Sequence, residues 1–176
     1  MFAQIVPEFE IISTDAEEGT CLLPWQTVMS NAISKNKEVG TAADIVVSAD
    51  TGVFLRWKFF GKPESREEAF AMLKKLNNRR HSVWTGVSVR YTVGNKTCIQ
   101  TVAVRSTVKL NFADDKAIWD YVNTGSPMDK AGAYGIQDEI GATYTGSLTN
   151  IIGLPVEQTR NLVMRAISAV KAGGRK

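Results

Sequence analysis

Asp50 follows the apolar run Ile45-Val46-Val47 and stands where that strand is read to stop and a Thr51-Gly52 turn to begin. A short continuous apolar run reads as a buried parallel strand, which puts the carboxylate at the strand's carboxyl end. There it could hold a hard divalent cation or position a water, because open α/β sheets bind ligands beyond their strand ends. An aspartate at the same point could equally make an Asx turn or cap the next element. Lys62, in Gly61-Lys62-Pro63, has little backbone freedom around it and could face a phosphate, or it could be a solvated loop lysine. It is not a P-loop lysine, since the G-x-x-x-x-G-K-[ST] frame is absent. Lys35 and Lys37 near the end of a predicted helix suit the helix dipole whatever else they do. Glu17 and Glu18 are paired acids in a polar loop, available as a second metal contact or as ordinary surface charge. The segment from Pro127 to Gln137 joins small residues, a charged pair and a terminal amide. Small residues let backbone N–H groups approach a ligand, and Gln137 could read a base edge; an irregular structural connection fits too. His81, the single histidine, reads as a hydrogen-bonded structural residue at the start of a strand.

The elements that must position these groups are legible from periodicity. Glu8 to Ser13 alternates weakly and reads as a strand. A helix begins at Pro24, with Trp25, Val28, Met29, Ala32 and Ile33 on one face. Asp44 to Ala49 is the apolar strand that ends at Asp50. Ser65 and Glu68 form an S-x-x-E capping box behind Pro63, and Ala69, Met72, Leu73 and Leu76 supply the apolar stripe of the helix they open. Asn77-Asn78 can end that helix. From His81 the period becomes two, with Val83, Thr85, Val87, Val89, Tyr91 and Val93 sharing a face. Gly94-Asn95 then turns the chain into a second strand running from Cys98 to Leu110. A short helix is predicted over Asp115–Thr124. Asn150 to Pro155 reads as a buried strand ending at a helix start, and the last helix spans about Val156 to Ala172. The fold class expected is α/β (or α+β), a mixed sheet flanked by helices, in one domain over residues 1–176.

Bulk properties narrow the class. The chain of 176 residues is 44% hydrophobic and 22% charged, ordinary for a globular domain and unlike a disordered one. A net charge of +3 suits a small polyanion and is too weak to argue for nucleic acid. Two cysteines, far apart, and one histidine exclude a zinc site and a disulfide framework. No apolar run reaches the roughly 18 residues of a membrane span, and no signal-peptide pattern opens the chain, so a cytoplasmic location is expected.

In combination the segments are far more specific than any one alone. Ser-Ala-Asp-Thr, Gly-Lys-Pro, Ala-x-x-Met-Leu-x-x-Leu and His-x-Val-x-Thr-Gly-Val occur in the order and spacing of the Maf family. Met128 to Gln137 and Ile152-Gly153-Leu154-Pro155 complete the pattern. From about Phe9 to the C-terminal helix the chain resembles Maf proteins, often named septum-formation inhibitors, relatives of the inosine triphosphate pyrophosphatases. The resemblance implies a strongly twisted sheet and a house-cleaning hydrolase that cuts a nucleoside triphosphate to the monophosphate and pyrophosphate with Mg²⁺ or Mn²⁺. By family prior the substrates are dTTP and UTP, with a modified nucleotide such as 7-methyl-GTP next, and a homodimer is the family expectation.

Residue by residue, the resemblance assigns Asp50 as catalytic base or metal ligand. Glu18 matches the acidic loop position, with Glu17 the alternative register. Lys35 matches the lysine of an A-x-x-K-A helix, in which Asn36 stands for the usual alanine, and Lys62 matches the Gly-Lys-Pro lysine. Thr51 and Gln137 match positions linked to substrate choice. Metal: Asp50 and Glu18; substrate: Lys35, Lys62, Thr51 and Gln137. Two departures are visible. The family's opening S-x-S-P-R-R loop has no counterpart, Arg79-Arg80 being elsewhere in the pattern, and Leu148 replaces a frequent aromatic. Loss of those charge-assisted phosphate contacts would weaken binding, and loss of a sheet neighbour would favour dimer compensation. The alternative is therefore a non-catalytic nucleotide-binding or regulatory protein on the same fold.

Overall fold

The computed structural model describes residues 1–40 and 43–173; the expected domain span of 1–176 takes in positions outside them. Five strands, β1 (Ile45–Leu55), β2 (Lys58–Phe60), β3 (Arg80–Val93), β4 (Lys96–Lys109) and β5 (Thr143–Thr145), form one sheet in the order β2-β1-β3-β4-β5. Helices α1 (Pro24–Glu38), α2 (Arg66–Leu76), α3 (Asp115–Asn123), α4 (Leu148–Ile152) and α5 (Val156–Gly173) flank it. The α/β class is as expected, but the sheet is not mixed. All four strand pairings are antiparallel, and a lone bridge from Asn77 to Leu110 is parallel. β1–β2 and β3–β4 are hairpins, whereas β3 comes to lie beside β1 only after β2 and α2.

Local chemistry explains the elements. Pro24 opens α1 at a position where its missing N–H costs nothing. The Ser65 side chain accepts the Glu68 N–H at 3.1 Å, as a capping box requires, while Glu68 reaches back to the Glu64 N–H rather than to Ser65. Gly94, at φ 58°, makes the tight turn that pairs Val93 with Lys96.

Three sequence expectations fail for identifiable reasons. Glu8–Ser13 is not a strand: no neighbour pairs with it, and Ile11 is 82% exposed. Strand β1 does not stop at Asp50; its ladder with β3 continues through Thr51 and Gly52 to Phe54. Gly52 sits beneath the Phe54 and Phe59 rings, where an added Cβ would lie 2.8 Å from Phe59, so this glycine serves packing and not a turn. The segment read as a buried strand near Asn150 is instead the short α4. It is opened by the Ser147 side chain accepting the Asn150 N–H and closed by Gly153 at φ 116°.

The two faces of the sheet have different partners. Odd-numbered residues of β3 form the apolar stripe predicted, with Val83 in a core shared with α2 and α3 and with Val87, Val89 and Tyr91 in a second core against α5. Even-numbered Gly86 and Ser88 lie under α1. A Cβ on Gly86 would collide with the Val28 carbonyl and stand 2.7 Å from the Met29 nitrogen, so α1 rests on the sheet at backbone distance there. Asn36, buried in α1, donates to the Val46 and Ser88 carbonyls, both at 3.1 Å, and ties the helix to two strands.

Candidate functional site

Strand β2 pairs only with Val53–Leu55, leaving the outer edge of β1 from Ile45 to Gly52 without a strand neighbour among the described residues. A cavity of about 310 Å³ opens at this edge. Because side chains alternate along a strand, Asp50 reaches the cavity from the α1 face and Thr51 from the opposite one. Glu18, Lys35, Asp50, Thr51, Lys62 and Gln137 all line it. Every site residue expected from sequence is thus in one pocket, although they come from five separate segments.

Asp50 is 7% exposed and both of its oxygens are engaged. Oδ1 accepts from Lys35 Nζ at 2.6 Å and Oδ2 from the Asn31 amide at 3.1 Å. Lys35 also binds Glu18 at 2.7 Å, so one ammonium bridges the two carboxylates. Burial works against its charge, but the bonds and fields of Asp50 and Glu18 outweigh it and hold the lysine pKa above the usual value. Asn31 and Lys35 are four residues apart on one face of α1, which the close approach at Gly86 brings directly over Asp50. Asn31 Oδ1 in turn accepts the Gly19 N–H at 3.0 Å, and Thr27 Oγ1 accepts the Cys21 N–H at 2.9 Å. The acidic loop is docked by these two bonds. Neither polar residue was singled out from the sequence; their i, i+4, i+8 spacing with Lys35 was the available signal.

The far wall is built from residues 127–137. The Gly132 N–H donates to the Gly61 carbonyl at 2.9 Å, joining this segment to the Gly-Lys-Pro loop. Gly132, at φ 71°, packs so closely on Val53 that a Cβ would lie 2.9 Å from its side chain. Tyr134 is buried and its hydroxyl meets His81 Nε2 at 2.9 Å. His81 Nδ1 faces the Arg79 carbonyl at 3.0 Å. A carbonyl only accepts, so Nδ1 carries the proton and Nε2 accepts from Tyr134. Burial, opposed by the Arg79 carbonyl, lowers the His81 pKa, in keeping with a structural histidine. Tyr121 accepts the Gly135 N–H at 3.0 Å and donates to Asp138 at 2.6 Å, bracing the turn that carries Gln137.

Lys35, Lys62 and Lys130 line the cavity together with Glu18, Asp50 and Asp129, a balance of three cations and three anions. Lys130 is bound to Asp129 and to the Ser126 carbonyl, both at 2.6 Å. No ion pair involves Lys62 among the described residues, so it is the pocket cation most available to a ligand. No group of three or more metal-ligating His, Cys, Asp or Glu residues occurs among the described residues. The hard-oxygen pair of Asp50 and Glu18 does fit a cation of the Mg²⁺ type, which keeps waters and takes further ligands from phosphate.

Fold and site define an α/β protein with a lysine- and carboxylate-lined pocket at the edge of an antiparallel sheet. The family sequence model described as Maf-like protein matches residues 1–166, and the chain belongs to that family. It is 38% identical over 174 residues to a protein of Dictyoglomus turgidum named dTTP/UTP pyrophosphatase, covering 94% of this chain and 89% of that one. A Clostridium kluyveri protein of the same name is 35% identical, with 93% and 89% covered. One from Thermococcus kodakarensis is 39% identical, with 89% and 85% covered.

Proposed function

We propose that this protein hydrolyses nucleoside triphosphates to the monophosphate and pyrophosphate, with dTTP and UTP as the preferred substrates. The observation that carries the reading is the convergence of Asp50, Glu18, Lys35, Lys62, Thr51 and Gln137 on one cavity in a Maf-like chain. The lining is electrically balanced, so it cannot by itself offset the charge of a triphosphate. A divalent cation, Mg²⁺ or Mn²⁺, held by Asp50 and Glu18 would supply that neutralisation and acidify bound water.

The chain's own groups do the rest. Asp50, oriented by Asn31 and Lys35, accepts a proton from the water that attacks the α-phosphorus as the bond to the bridging oxygen breaks. Charge gathering on the departing pyrophosphate is met by Lys62 and Lys35. Binding requires Lys35 to loosen its hold on Glu18 or Asp50, since that ammonium sits between the carboxylates. Thr51 and Gln137 contact the nucleoside. In this reading the chain is one Maf-like domain acting in the cytoplasm, alone or as a homodimer, without nucleic-acid or membrane partners. No helix among the described residues is long and apolar enough to cross a membrane.

The test is incubation of the purified protein with Mg²⁺ and a panel of triphosphates including dTTP, UTP and 7-methyl-GTP, with pyrophosphate release measured. Release from dTTP and UTP ahead of the others supports the reading. Binding without pyrophosphate for every nucleotide would overturn it in favour of a non-catalytic nucleotide-binding protein.

A further inference from the structure

Behind Thr51 lies a short chain of hydroxyl and carbonyl groups that leads away from the cavity. Thr85 is fully buried, and its Oγ1 is 2.9 Å from the Asn150 carbonyl and 2.9 Å from Thr51 Oγ1. A carbonyl cannot donate, so the single proton of Thr85 goes to Asn150. Two hydroxyl oxygens 2.9 Å apart still require a proton between them, and only Thr51 has one left to give. The Thr51 hydroxyl therefore points its proton inward and presents lone pairs alone to the cavity it lines. Asn150 cannot turn away, because its amide donates to the Val83 carbonyl at 3.3 Å and to Ser106 Oγ at 3.0 Å.

We propose that Thr85 is a positioning residue that fixes Thr51 as a hydrogen-bond acceptor, so that the pocket selects nucleotides whose base points a ring N–H at it. This inference rests on the nucleoside triphosphate reading above. Uracil and thymine carry such an N–H between two carbonyls. Cytosine has a bare nitrogen at the same ring position, which would meet the Thr51 lone pairs and be repelled.

The experiment compares kcat/KM for UTP and CTP in the wild type, Thr85→Val, Thr85→Ser and Thr85→Ala, with thermal melting as a folding check. Thr85→Val keeps the shape, and the Asn150 carbonyl keeps the Gly153 N–H at 3.1 Å, so no buried acceptor is orphaned. With no inner acceptor, Thr51 is free to turn its proton toward the cavity and donate to cytosine. The wild type is expected to favour UTP by roughly tenfold or more, about what one hydrogen bond traded for a repulsion supplies. Thr85→Val should lower that ratio at least about fivefold, Thr85→Ala should do the same, and Thr85→Ser should retain it. A merely structural role would slow both nucleotides together and leave the ratio unchanged, which overturns the proposal. Wild-type preference for CTP, or none, also overturns it. If the wild type hydrolyses no triphosphate, the functional reading itself fails and takes this inference with it.

Discussion

Asp50 and Gly86 are direct partners across β1 and β3, and the missing side chain of Gly86 is what lets α1 lie over the Asp50 carboxylate. The backbone of Val28 and Met29 fills the space a Cβ would need. Substituting Gly86→Ala should push α1 outward, costing about 1–3 kcal/mol of stability by overpacking. It should also separate Lys35 and Asn31 from Asp50 and lower turnover in the surviving folded protein. Urea melts and pyrophosphate release measure the two effects; full stability and full activity would show that the close approach is dispensable.

Asn31 fastens the acidic loop to the carboxylate. Its amide donates to Asp50 and its oxygen accepts from Gly19, so Asn31→Ala leaves two groups without partners. A stability loss of about 1–3 kcal/mol is expected. Turnover should fall roughly 10- to 100-fold, as when a group orienting a metal ligand is removed. A variant with wild-type kcat would exclude an orienting role.

Lys62 predicts a different signature. It makes no ion pair among the described residues, so Lys62→Ala should leave the melting temperature in place. A lost charge-assisted contact to phosphate should raise KM roughly tenfold or more. An unchanged KM would remove Lys62 from the substrate site.

His81 links the far wall to pH. Burial lowers its pKa in the folded protein, so the unfolded chain binds a proton more readily. Where the unfolded state carries more protons, stability increases with pH. The His81 contribution is therefore complete above its ordinary value of about 6.5 and is lost as pH falls through the lowered folded value. Urea midpoints between pH 8 and 5 should decline in the wild type and decline less in His81→Gln. Equal slopes would contradict the assignment of Nε2 as acceptor for Tyr134.

Much of this fold is legible in the sequence because its signals are local. The Ser65 cap, the period-two stripe of β3 and the Gly94 turn each act within a few residues, and all three stand as read. What the sequence hides is set by distant neighbours. Whether Glu8–Ser13 pairs depends on an available edge. Whether Thr51-Gly52 turns or continues depends on the ladder to β3 and on two phenylalanine rings above the glycine. The site shows the same division. Asp50, Lys35 and Lys62 stand out as charges in distinctive motifs. Asn31, Thr85 and Gly86 are uncharged, and their importance lies in what they touch across the fold.

Asp50→Asn tests the central claim most directly, because it keeps the shape while removing the charge and the proton acceptor; its amide NH2 cannot accept, so one of the two bonds from Lys35 and Asn31 goes with them. With Mg²⁺ and UTP the account predicts a folded protein whose pyrophosphate release falls roughly 100- to 10,000-fold, the range expected when a catalytic base is lost. Release at the wild-type rate from a folded Asp50→Asn protein would contradict it.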